Sequence, residues 1–265
     1  MIKVDGIPVT TGNFPDGTLA VKFDPNKIDE KAREIEIEWI YENDAELFTL
    51  ICLKRHLDHH FYDMSYFLYL RYIPHARMDR VKTDEDVFTL KYFCEVINSL
   101  NFSAVYVRDA HSNVSLALLN NAIQESIDAY IQIAVEMSGA EALFFPDEGA
   151  MKRYSDAAKL PFAFGMKKRD WATGKILGLD LIGAKNVAGK KVLIVDDICS
   201  YGGTFARAAK ALHEAGAKAI YLYVTHCEDN IHKGDIFKDG LIECVYTTNS
   251  IYTGANDNTG GVVVL

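Results

Sequence analysis

Along most of the chain, short apolar runs alternate with segments whose apolar residues recur at helical spacing. Residues 33–40 (REIEIEWI) alternate strictly between polar and apolar positions, which predicts a half-buried strand. Residues 44–53 (DAELFTLICL) mix the two periods, and strand is expected from about Phe48. Residues 54–70 carry Leu57, Phe61, Met64, Phe67 and Leu68 at helical spacing, and a short apolar stretch from Leu70 to Ile73 then runs into Pro74. The acids that open residues 84–100 suit a helix N-terminus, and an apolar face follows them. Residues 104–111 (AVYVRDAH) predict a buried strand ending in polar residues, 118–138 one long helix, and 141–149 a strand followed by a polar loop. The clearest unit is 190–204 (KKVLIVDDICSYGGT), a Val/Leu/Ile strand, two aspartates and a glycine loop, followed by the helix FARAAKALHEAG closed by Gly216. Residues 219–227 and 242–248 predict two more strands.

Strands alternating with helices imply parallel sheets covered on both faces. Polar residues gather just after strand C-terminal ends, at Asp109/His111, Asp147/Glu148, Asp196/Asp197 and Thr225/His226, which is where ligands bind in open α/β sheets. Two sets of such strands predict two similar α/β domains, over 1–120 and 121–265.

Composition narrows the partners. The 265 residues are 49% hydrophobic and 25% charged, which excludes a disordered or collagen-like chain. A net charge of −9 gives no global attraction to nucleic acid or an anionic membrane, so any phosphate site has to be built locally. The five cysteines are widely spaced and form no CxxC, which argues against a disulfide framework or structural zinc and for a reducing compartment. The start MIKVDGIPVT has neither a basic nor an apolar targeting region, and no apolar run approaches the ~20 residues of a membrane span. A soluble, cytoplasmic protein is the expectation.

The segment VLIVDDICSYGGT (192–204) carries the chemistry. Its strand delivers Asp196 and Asp197 to a sheet edge. Gly202 and Gly203 then let backbone N–H groups close on an anion without Cβ obstruction, Thr204 adds a hydroxyl, and a helix N-terminus adds partial positive charge. Carboxylates for sugar hydroxyls beside an anion nest describe a site for a ribose carrying a phosphate. An acidic turn before a helix accounts for the two aspartates alone, but not for strand, aspartates, glycines and helix together.

This segment resembles the ribose-phosphate motif of the phosphoribosyltransferase superfamily, and further segments narrow the resemblance to the ribose-phosphate diphosphokinases. FPDG (14–17) is similar to the family's segment that reaches a neighbouring subunit's adenine, and RYIPHARMDR (71–80) to its ATP-binding run. RDAHS (108–112) resembles its Asp-x-His metal loop, FPDEGAMKR (145–153) its Pro-Asp loop followed by a basic residue, GMKKRD (165–170) its flexible catalytic loop, and THCE (225–228) its Thr-His strand end. Four departures accompany this. Ser200 and Tyr201 stand where the family has an acid and a small hydroxyl residue, Met78 replaces a usual glutamine, and Thr18 replaces an acid. The chain also starts almost at FPDG, so the family's first strand and helix are expected to be missing.

The resemblance implies two α/β domains of phosphoribosyltransferase type, related by internal duplication, and Mg²⁺-dependent transfer of the β,γ-diphosphate of ATP to the anomeric hydroxyl of a ribose 5-phosphate-type acceptor. It assigns Lys167 and Arg169 to catalysis, and Phe14, Asp16, Arg77, Asp79 and His111 to ATP. Asp147, Asp196, Asp197, Ser200, Tyr201, Gly202, Gly203 and Thr204 fall to the ribose phosphate, and His111 and Asp147 to the metal. His226 is read as structural. A homo-oligomer with a shared ATP site is implied. Three alternatives stay open: the same chemistry on a larger acceptor such as ADP-ribose, motivated by Tyr201, a phosphoribosyltransferase, and a catalytically silent regulatory subunit.

Overall fold

Two units divide the chain, Met1–Glu125 and Ser126–Leu265. The computed structural model describes residues 1–29, 31–169, 176–254 and 261–265, with backbone alone for 167–169 and 176–179.

The first unit opens with β1 (Ile2–Val4) and β2 (Ile7–Pro8), then a separate hairpin of β3 (Thr10–Asn13) and β4 (Leu19–Lys22). It continues through β5 (Glu34–Trp39), α1 (Ala45–His60), β6 (Ser65–Leu70), α2 (Thr89–Ser99), β7 (Ala104–Arg108), α3 (Asn113–Leu118) and β8 (Ala122–Glu125). Its sheet runs β2-β1-β5-β6-β7-β8, with β5 to β8 parallel and β1 antiparallel to both neighbours. The alternation in β5 places Ile35, Ile37 and Trp39 in a core with Leu50, Leu53 and Leu57 of α1 and Phe93 and Ile97 of α2. Their neighbours Glu34 and Glu36 are exposed. On that second face Tyr69 stacks on Tyr106 at 4.6 Å, and Arg71 bridges Glu38 at 2.6 Å and Glu125 at 3.0 Å. Within this unit the core helices therefore cover one sheet face, not both.

Four expected elements are corrected here. Residues 45–60 are one helix rather than a strand from Phe48, because Thr49 and Lys54 join Leu50, Leu53 and Leu57 on its buried stripe. The helical spacing expected over 54–70 ends at His60, and Ser65–Leu70 is a central strand. The single helix expected over 118–138 is α3, a turn with Asn121 at φ +54°, the edge strand β8, and then a new helix. Asn tolerates that left-handed backbone better than most residues, so the turn forms at little cost. The helix expected from residue 84 begins later, at Thr89.

The second unit comprises α4 (Asp128–Ser138), β9 (Ala142–Phe145), α5 (Glu148–Tyr154), β10 (Phe162–Arg169), β11 (Ile176–Ile182), β12 (Lys191–Cys199), α6 (Gly203–Glu214), β13 (Ala219–Cys227), β14 (Ile242–Thr247) and β15 (Val262–Val264). The sheet order is β11-β10-β9-β12-β13-β14-β15, parallel throughout except for the antiparallel β10–β11 pair. Here both faces are covered. Val192 and Ile194 pack with Phe205, Ala208 and Leu212 of α6, while Leu193 and Val195 pack with Ile131 and Ala134 of α4 and Ala150 and Tyr154 of α5. A near-continuous Val/Ile/Leu strand is what burial on both faces requires.

Candidate active site

In the second unit, β12 carries the aspartate pair just before its last two residues, Ile198 and Cys199. Asp197 is buried and Asp196 half-buried, with Asp196 Oδ1 accepting the Asp197 N–H at 3.0 Å. Burial first, then the neighbouring Asp197 and Asp147 charges, push the Asp196 carboxyl well above the usual carboxylate range. A cation meets this crowding of acids. Arg153, in the last turn of α5, lies 3.5 Å from Asp197 and 3.9 Å from Asp196. Asp147 caps the same helix, its side chain accepting the Ala150 N–H at 3.1 Å, so the helix start fixes this carboxylate as well.

The loop after the acids turns sharply. Gly202 takes a left-handed φ of +75°, where a side chain's Cβ would stand 2.7 Å from Ile236 Cβ. It is the N-cap of α6 and offers no capping side chain, and the first intrahelical bond runs from the Ala206 N–H to the Gly202 carbonyl. The N–H groups of residues 203–205 therefore point out of the helix start with the macrodipole behind them, as an anion site requires. The segment after β13 clamps the loop from behind. A Cβ at Gly234 would lie 1.8 Å from the Tyr201 carbonyl oxygen, an approach only glycine permits. Tyr201 itself presents its ring to solvent, 56% exposed. Ser200 Oγ donates to Glu228 Oε2 at 2.5 Å. Thr204 is exposed at the helix start. His226 is buried with Nδ1 2.9 Å from Ser250 Oγ, in keeping with a structural role.

Lys167 and Arg169 lie on a strand rather than in a loop. Their backbones pair with Leu179 and Ile176 across the β10–β11 hairpin, and their side chains fall outside the described residues, as does Asp170 beyond them.

The nucleotide candidates all lie in the first unit. Phe14, 58% exposed, and Asp16 occupy the turn of the β3–β4 hairpin. Asp16 accepts from the Thr18 hydroxyl at 2.7 Å and from its N–H at 3.0 Å, which lowers its pKa. Thr18 thus holds the Asp16 carboxylate. Arg77 is exposed, and Asp79 is buried and takes Arg80 at 2.8 Å as its ion partner, which holds its carboxyl below the usual range. His111 is half-buried, two residues after Asp109, a buried residue at φ +41° that turns the chain out of β7. A non-glycine residue in that conformation is strained, a feature that collects at functional sites.

Sequence reasoning passed over Arg153 and Glu228, although both stand in quoted segments. Lys152 and Arg153 are adjacent cations, and only the fold shows that Lys152 pairs with Glu148 at 2.8 Å while Arg153 faces the aspartates.

The sheet orders, the acid pair and the uncapped helix start define a phosphoribosyltransferase-type α/β protein, and residues 151–246 match the phosphoribosyl transferase domain family. The chain is similar over 97% of its length to a crystal structure of phosphoribosylpyrophosphate synthetase from Mycobacterium smegmatis, with a TM-score of 0.74, 18% identity and 85% of that chain covered. In sequence it is 27% identical over 260 residues to the ribose-phosphate pyrophosphokinase of Mycoplasma pneumoniae, covering 92% of this chain and 76% of that protein. It is 29% identical over 248 residues to the ribose-phosphate pyrophosphokinase of Thermococcus kodakarensis, covering 90% and 81%. Along most of its length the chain is therefore similar to ribose-phosphate pyrophosphokinases.

Proposed function

We propose that the chain transfers the β,γ-diphosphate of ATP to the anomeric hydroxyl of a ribose 5-phosphate-type acceptor, releasing AMP. The observation that carries this is the order along one strand and helix: Asp196 and Asp197 at the sheet edge, the Gly202 turn, then the uncapped N–H groups of α6. The aspartates accept hydrogen bonds from ribose hydroxyls, and the helix start with Thr204 holds the 5-phosphate. Arg153 balances the acids. Lys167 and Arg169 stabilise charge on the transferring group, and Arg77 binds the ATP phosphates, since phosphoryl transfer is catalysed mainly by positioning and electrostatics.

Among the described residues no three His, Cys, Asp or Glu side chains gather into a metal cage. Magnesium suits such a site, because it keeps several waters and takes one or two protein ligands plus substrate phosphates. In the second unit Asp147 would hold such an ion through carboxylate oxygen, and in the first unit His111 would hold one directly or through water. When bound, it neutralises phosphate charge. Phe14 and Asp16, at the exposed tip of a hairpin, serve a neighbouring subunit's adenine in a homo-oligomer.

A second acceptor is favoured by one observation. The Tyr201 ring is exposed on a loop that Gly234 and Ile236 hold fixed, so it offers a stacking face beside the 5-position. ADP-ribose, a ribose with a larger 5-diphospho substituent, fits that reading and would place the chain in NAD salvage. Incubation with ATP, Mg²⁺ and a panel of ribose phosphates and ADP-ribose tests both. AMP release that needs an acceptor supports the transfer, and its absence with every acceptor rejects it.

A further inference from the structure

The loop between β12 and α6 presents opposite electrostatics at its two ends. At the helical end the uncapped N–H groups favour an anion. At the strand end the Ser200 hydroxyl donates to the Glu228 carboxylate at 2.5 Å. Glu228 is half-buried and held from several sides. Its N–H donates to the Cys199 carbonyl at 2.8 Å, and Asn230 Nδ2 approaches the same Oε2 at 3.4 Å. Lys233 Nζ in turn donates to Asn230 Oδ1 at 3.2 Å, and the contact of Gly234 with Tyr201 locks the segment onto the loop. Residues 198–204 carry no acid of their own, so this carboxylate is brought to the loop from the next strand.

A phosphate at Ser200 would face a carboxylate and find the hydroxyl proton already committed. A sugar hydroxyl meets the opposite situation. It can donate to Ser200 Oγ, an oxygen made a stronger acceptor because its own proton is given to an anion.

We propose that Ser200 and Glu228 form an acceptor pair for a hydroxyl of the ribose, with Glu228 as a positioning residue acting through Ser200, and that the 5-phosphate is held by residues 202–205 without Ser200. This moves Ser200 from the phosphate side to the sugar side, and it rests on the ribose-phosphate reading above. The pair adds a third acceptor group beside Asp196 and Asp197.

Steady-state AMP release tests it, with KM measured separately for acceptor and ATP in wild type, Glu228→Ala, and Glu228→Ala combined with Ser200→Asp. Glu228→Ala is expected to raise the acceptor KM about tenfold with ATP KM unchanged. The double variant, which carries the carboxylate on the loop itself, is expected to return it to within about threefold of wild type. An unchanged acceptor KM in Glu228→Ala overturns the proposal. So does a double variant no better than the single one, or a parallel rise in ATP KM with a lowered melting temperature, which marks a purely structural role. Wild type that releases no AMP with ribose 5-phosphate or ADP-ribose overturns the underlying reading, and the pair's role falls with it.

Discussion

At the scale of single residues, Asp196 ties stability to function most tightly. Burial and the nearby Asp197 and Asp147 raise its pKa, so the folded chain keeps a proton there that the unfolded chain has already released. Stability contributed at this site is therefore lost as pH rises from the ordinary value of 3.8 through the raised one. Asp196→Asn removes that loss. It is expected to stabilise the chain at about pH 8 by on the order of 1 kcal/mol, a few degrees in Tm, while abolishing activity. Near pH 5 the gain is expected to shrink, and melting curves at both pH values check this. For Lys167→Ala or Arg169→Ala, kcat is expected to fall about a hundredfold, ~3 kcal/mol of lost charge stabilisation, with little change in KM. Near-normal turnover in both would remove the β10 cations from the mechanism. The aspartate pair was legible because an apolar strand, a glycine loop and a helix flank it, whereas two aspartates alone would equally fit an acidic turn. Glu228 was not, since it joins the loop through the pairing of β12 with β13, a contact between residues 28 apart in the chain.

At the scale of elements, β9 and β12 were readable because burial on both faces writes an uninterrupted apolar run, whereas β10, β11 and β15 were not predicted. Helix α1 was misread for a physical reason. Lys54, 3% exposed, counts as polar in any pattern, yet it is core, with Nζ over the Tyr66 ring at 4.1 Å and on Asp58 at 2.6 Å. Its apolar stem does the packing while the charge is satisfied locally. Thr49, also buried, hides the stripe in the same way. Gly234 is the element-scale counterpart in the site, a residue whose role shows only when two loops meet. Gly234→Ala is expected to destabilise the chain by about 2 kcal/mol or more, because the obstruction is backbone rather than a flexible side chain. It should also lower acceptor affinity. Urea denaturation and acceptor titration check the two effects, and a neutral substitution would mean the loop does not need this clamp.

At the scale of the whole molecule, the ribose-phosphate candidates sit in Ser126–Leu265, whereas the nucleotide candidates Phe14, Asp16, Arg77, Asp79 and His111 sit in Met1–Glu125. Among the described residues no helix is long and apolar enough to cross a membrane. The division of labour makes a separable prediction. Asp16→Ala is expected to weaken ATP binding severalfold and leave acceptor binding unchanged, as calorimetric titration of each ligand would show. Tyr201→Thr is expected to act in the opposite sense, shifting kcat/KM from ADP-ribose toward ribose 5-phosphate by about fivefold, since stacking contributes ~1 kcal/mol. The most direct test of the central claim follows ATP labelled at the β-phosphorus through a turnover with ribose 5-phosphate or ADP-ribose. The account predicts that the label leaves with the sugar as an intact diphosphate and that AMP appears in equal amount. Label recovered only in ATP, ADP or free phosphate, with no AMP formed, would contradict it.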